Sequence, residues 1–160
     1  MNTNTKSKSG FTIIEVVLVL AIAGLIFLIV FLAVPALQRS QRDTQRRNDS
    51  ARFMSQISNY QSNNRGEVPT AATGSTGKTV GAFVAAYLDN GSGSPDNWKD
   101  PDTGAVYARA TGAPTTPGQW NYYVGQICDG ESATTTGASA RNVAFVMKLE
   151  GAGSFCATNK

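Results

Sequence analysis

The sequence predicts an α+β fold, a long N-terminal α-helix packed on a small antiparallel β-sheet. Three observations predict it. An apolar run from Val16 to Val34 extends for 19 residues without a charged side chain. From Ala36 to Gln61 there is no Gly and no Pro, and Phe53, Ile57 and Tyr60 recur at the spacing of one helix face. In "RNVAFVMKLE", Val143, Phe145, Met147 and Leu149 alternate with Ala144, Val146, Lys148 and Glu150, the two-residue period of a half-buried strand.

Residues 1–10 are short, polar and basic. Residues 11–35 form the first half of the helix. It is apolar all round, so it needs lipid or other helices as its surroundings. At about 1.5 Å per residue the apolar run spans roughly 28 Å, close to a bilayer's hydrocarbon core. Pro35 removes a backbone donor and disfavours helix at Val34, which predicts a kink or a break there. Residues 36–62 are the amphipathic second half. Arg39/Asp43 and Asp43/Arg47 are spaced i,i+4 and read as an exposed face. One helix from about Thr12 to about Ser62 is expected, ended by "NNRG".

Residues 63–160 read as a globular head. A loop rich in Gly, Thr and Ala covers Glu67 to Gly77. "TVGAFVAAYLDNG" follows as a short helix, with Phe83, Val84, Tyr87 and Leu88 on one side and Asn90 and Gly91 as its stop. After the loop "GSGSPDNWKDPDTG" come three strand-like pieces, "AVYARA", "QWNYYVGQI" and "RNVAFVMKLE". Their short connections favour an antiparallel sheet. The helix stripe is the natural cover for its apolar face. Tyr107, Trp120, Tyr122 and Tyr123 read as sheet core and rim. No internal repeat is visible.

The formal net charge of +3 is unevenly spread. Lys6 and Lys8 precede the apolar run. Between Pro35 and Arg65, six arginines stand against Asp43 and Asp49. From Gly66 onward, six bases meet eight acids, so the head is slightly acidic. The arginine-rich stretch is the one place for a basic interaction surface. It reads as a solvated or subunit-facing stripe, with Arg42, Arg46 and Asp49 placed to meet charges on neighbouring molecules. Nucleic acid is not expected as a partner.

Catalysis is not expected either. There is no His in the chain, which excludes Ser–His and Cys–His nucleophile pairs and His metal ligation. No phosphate-cradling Gly loop or dinucleotide fingerprint occurs, and no cofactor is implied. Cys128 and Cys156 are the two cysteines. In an exported domain an even count reads as one disulfide, worth roughly 3–4 kcal/mol for a loop of this size; in another setting they are two separate buried thiols.

The front of the apolar run poses a question of its own. A secretory signal has an apolar core of about 7–15 residues with a small-residue cleavage site behind it. Here the run is longer, and the small residue, Gly10, lies in front. A single-pass anchor with a basic cytoplasmic flank fits better. Yet Glu15 sits inside its front, and a carboxylate at the centre of a membrane helix costs roughly 2.5–3.5 kcal/mol, less near the end. Something must compensate for it.

"GFTIIEVVLVLAIAGL" closely resembles the processing site of type IV prepilins and related pseudopilins, over roughly the first 60 residues. The resemblance implies a cleaved leader, residues 1–10, cut by a prepilin peptidase between Gly10 and Phe11. Phe11 becomes the N-methylated terminus and Glu15 the fifth mature residue; Thr12 also matches. It implies the pilin fold, with an αβ-loop and a C-terminal loop closed by a Cys128–Cys156 disulfide. Glu15 would pair with the new ammonium of Phe11 in a neighbouring subunit and so set the axial register. Gly24 and Pro35 would bracket a stretch that unwinds in the filament, although Pro35 lies about one turn later than in many members.

The function so implied is that of a structural subunit of a type IV pilus, made as a single-pass cytoplasmic membrane protein and assembled into an extracellular filament. Its partners would be copies of itself, the prepilin peptidase, an assembly platform protein and an ATPase. Two rivals stand beside it, a pseudopilin of a type II secretion or DNA-uptake system and an uncleaved membrane-anchored binding domain. "WKDPDTGAVY" is similar to a turn of major pseudopilins near a calcium-binding loop. That makes Asp96, Asp100 and Asp102 weak calcium candidates. The plainer reading is a turn begun by Asp and Pro and ended by Gly104.

Overall fold

The computed structural model describes residues 10–72, 74, 76–89, 98–151 and 153–159. Helix α1 runs over Ile13–Asn63 and α2 over Val80–Tyr87. The strands are β1 (Trp120–Val124), β2 (Ile127–Asp129), β3 (Ser132–Thr134), β4 (Val143–Lys148) and β5 (Ser154–Thr158). The chain divides into two units, ending and starting at Gln38 and Arg39.

In the first unit the apolar part of α1 keeps its side chains outward, from Ile13 and Ile14 to Phe31 and Leu32. This segment is long and apolar enough to cross a membrane. The helical backbone continues through Pro35, as the single helix expected from about Thr12 to about Ser62 requires, because one missing donor leaves the neighbouring i→i−4 bonds in place.

In the second unit, the remainder of α1 lies on a three-stranded antiparallel sheet ordered β1-β4-β5. Trp120 pairs with Met147 and Val124 with Val143; on the other side Ala144 pairs with Thr158 and Lys148 with Ser154. Phe53, Ile57 and Tyr60 of α1 are buried, as their spacing predicts. Phe53 sits at the centre, with ring centroids 4.4 Å from Phe145, 5.3 Å from Phe83 and 5.5 Å from Trp120. Val80 and Phe83 of α2 join this core. The α2 start is capped by Thr79, whose Oγ1 accepts the Ala82 N–H at 3.1 Å. α1 ends as "NNRG" predicts: Arg65 and Gly66 take φ of 57° and 81°, and the Gly66 N–H closes on the Gln61 carbonyl at 2.7 Å.

The strands differ from expectation in four places. "AVYARA" is not a strand; Val106 and Arg109 form isolated bridges to Lys99 and Trp120. The Asp100–Gly104 turn closes on Asp100 itself, leaving only single residues in pairing position. "QWNYYVGQI" splits at Gly125, whose φ of 69° turns the chain out of β1 and into the β2–β3 hairpin. β5, "SFCAT", is an additional strand. β4 is buried on both faces rather than one, Ala144 and Val146 included, and the β2–β3 hairpin lies against it and β5. The disulfide joins β2 to β5, with Cys128 and Cys156 Cα atoms 5.8 Å apart.

The arginine stripe is also corrected. Asp43 is buried, not part of an exposed i,i+4 ladder. Its carboxylate accepts the Glu150 and Gly151 N–H groups, each at 2.8 Å, and Arg46 at 3.1 Å. Arg46 is 1% exposed and grips Asp100. Arg42 forks onto Glu150. The Tyr107 hydroxyl donates to Asp49 at 2.7 Å. These side chains meet acids and a phenol of their own chain because the 99–104 turn and the β4–β5 turn bring carboxylates to α1.

Candidate processing and assembly site

The six residues from Gly10 to Glu15 lead into α1. Phe11 is 86% exposed and Ile13 85%, so neither is held by the rest of the chain. What organises the stretch is Thr12. Its carbonyl accepts the Glu15 N–H at 3.1 Å and the Val16 N–H at 3.3 Å, which begins the helix. Its Oγ1 accepts the Glu15 N–H at 3.4 Å. In return Glu15 Oε2 accepts the Thr12 N–H and the Thr12 hydroxyl, both at 3.2 Å.

This is a capping box of the form Thr-x-x-Glu, two orphan donors satisfied reciprocally at a helix start. A carboxylate in the first turn also faces the positive end of the helix dipole. Glu15 therefore has a role inside one chain as well as any between chains. The sequence reading missed it, although the signal, Thr three residues before Glu at the head of an apolar run, is present. The cap begins at Thr12, one residue after Phe11, and its carboxylate comes from Glu15, four residues after Phe11.

Gly24 and Pro35 lie within unbroken helix, and a Cβ placed on Gly24 would meet nothing within 4 Å. Two of the three calcium candidates are described, and both face arginines. Asp96 lies outside the described residues. Asp100 is engaged by Arg46 and by the N–H groups of Asp102 and Thr103, at 2.8 and 3.3 Å. Asp102 is 3.7 Å from Arg42. Among the described residues no group of three His, Cys, Asp or Glu side chains converges on a point that could hold an ion.

Residues 5–31 match the family model of the prokaryotic N-terminal methylation motif. This is the class III signal peptide of type IV pilins, and the match covers that segment alone. No curated protein and no solved structure matches the chain. The motif supports a type IV pilin-like or pseudopilin-like protein and points to a structural subunit. Motif and exposed apolar helix together fit a protein anchored in a membrane before assembly.

Proposed function

We propose that the chain is a structural subunit of a type IV pilus. A prepilin peptidase removes residues 1–10 by cutting between Gly10 and Phe11, and Phe11 is then N-methylated. The subunit waits in the cytoplasmic membrane by residues 11–35. It is extracted by an assembly platform and its ATPase, and it polymerises with its apolar helix bundled against those of its copies. Residues 36–62 carry the head, residues 63–160, to the filament surface.

The observation that carries this reading is the methylation motif running directly into the front half of α1, whose large apolar side chains from Ile13 to Val34 are exposed. Such a surface is stable in lipid or against other helices, and the same residues serve in both places. Glu15 is then the one charge that must be satisfied on transfer from membrane edge to filament core. The ammonium of Phe11 on a neighbouring subunit meets that need, since a paired, hydrogen-bonded charge is tolerated where a bare one is not. Gly24 and Pro35 mark the stretch where the helix yields on assembly.

The test is filament yield from the producing cells. Sheared preparations of wild type and Glu15→Ala are compared by electron microscopy, with total membrane protein measured alongside. Loss of filaments at unchanged membrane level supports the reading; normal filaments from Glu15→Ala would overturn the pairing.

A further inference from the structure

A second feature of the head is unrelated to the N-terminal motif. Residues 108–110 run beside the free edge of β1: the Ala110 N–H donates to the Trp120 carbonyl at 2.7 Å and the Trp120 N–H to the Ala108 carbonyl at 3.1 Å. Between this segment, β1 and the loop after α1 lies a cleft of about 410 Å³, lined by Ala71, Arg109, Thr111, Asn121 and Tyr123 among others. That volume suits a small molecule or a single side chain with its neighbours.

Arg109 is held rigidly at this cleft. Its Nε donates to Asn121 Oδ1 at 3.3 Å. Asn121 is itself fixed, donating to the Gly112 carbonyl at 2.7 Å and accepting the Tyr122 N–H at 2.8 Å. The guanidinium carbon stands 5.8 Å from the Trp120 ring centroid, a cation–π arrangement. Nη1 is buried and makes no hydrogen bond. Arg42 and Arg46 each meet carboxylates, but Arg109 meets none among the described residues. Burial pushes its pKa down and outweighs the neighbouring phenols of Tyr122 and Tyr123.

A partly buried guanidinium with an unused donor and no counter-ion is costly. It is also pre-organised, because its orientation is fixed before any ligand arrives. With Nε taken by Asn121 Oδ1, the Nη groups are the donors left for a carboxylate, whose two oxygens match a guanidinium's planar geometry. The apolar parts of Ala71 and Tyr123 beside it suit an apolar or aromatic group next to the acid. We propose that Arg109 is an anion-binding residue and that this cleft takes a carboxylate carried on a small apolar or aromatic group. The carboxylate has two possible sources, a free small molecule or an acidic side chain of a second copy of this chain.

The test follows the Arg109 side-chain Nε–H and the Tyr123 amide by NMR, in the full chain in detergent micelles. Sodium benzoate is the probe, with benzamide and sodium chloride at matched ionic strength as controls. A saturable shift with benzoate alone is expected. Arg109→Gln should abolish it. Ala71→Phe, at an exposed position, should abolish it too by filling the cleft while leaving Arg109 in place. Tenfold dilution of the protein without benzoate separates the sources. A resonance that moves on dilution and is displaced by benzoate assigns the carboxylate to a second copy. One unmoved by dilution yet saturable by benzoate assigns it to a free ligand. Shifts shared by all three additives, shifts that survive Arg109→Gln, or no shift at all would overturn the proposal.

Discussion

Arg46 and Asp100 meet through two hydrogen bonds, Nε to Oδ2 at 2.8 Å and Nη2 to Oδ1 at 3.0 Å, with the guanidinium almost fully buried. The pair joins α1 to the 99–104 turn. Through Asp43, which also binds Arg46, it reaches the β4–β5 turn as well. One residue of the long helix therefore fixes two separate loops of the head.

Removing Arg46 should be severe. Arg46→Ala leaves Asp43 and Asp100 buried without their cation, a change that typically costs about 3–5 kcal/mol. Arg46→Lys keeps the charge but not the fork, so it should fall between Ala and wild type. Urea denaturation of the three proteins checks the order.

The same cluster sets a direction for acid sensitivity. Burial pushes Asp100 and Asp43 up, but Arg46 and the backbone N–H groups that each accepts outweigh it and hold both below the usual aspartate range. Their contribution is fully present above the unfolded value of about 3.9 and is lost as pH falls through the lower folded values. Asp49 acts the other way. Burial raises it despite the Tyr107 hydroxyl, so its contribution is present at low pH and lost as pH rises. Asp49→Asn should therefore raise stability at neutral pH by removing the loss that sets in as pH rises above about 4, and should leave the acid loss below about pH 4 to Asp43 and Asp100. Thermal melts of both proteins between acid and neutral pH test this.

The disulfide closes a loop with a sequence separation of 28 and ties the β2–β3 hairpin to the edge strand β5. Replacing Cys128 and Cys156 by Ser should lower stability by about 3–4 kcal/mol, chiefly through the unfolded chain. The core around Phe53 is independent of this bond, so the circular dichroism of the folded double variant should stay that of wild type at low temperature.

Helix α1 was legible because its signals are local. Its end is written in "NNRG", and its buried face in the spacing of Phe53, Ile57 and Tyr60. The Arg46 cluster was not, because two of the three acids that claim Arg46 stand 54 and 104 residues away in sequence, and only folding brings them together. An i,i+4 pattern on paper pointed Asp43 at Arg39 and Arg47 instead. β5 was missed because five residues beside glycines carry too little period to read. The capping box was legible and overlooked, since Thr12 and Glu15 were weighed only for what they do between chains.

The cap and the proposed assembly role of Glu15 can be separated. Thr12→Ala removes the hydroxyl of the box but keeps the carboxylate, and should cost the helix start about 1 kcal/mol with filament yield largely kept. Glu15→Ala removes both functions and should abolish filaments. Equal loss in the two variants would assign Glu15 to capping alone. Sheared-filament yield, beside helix content in micelles, reads the difference.

The central claim is that the leader is removed at Gly10. Mass spectrometry of the N-terminal peptide of the protein from its own cells tests it most directly. The account predicts a chain that begins at Phe11 and carries an N-methyl group. A main population beginning at Met1, with Lys6 and Lys8 retained, would contradict it.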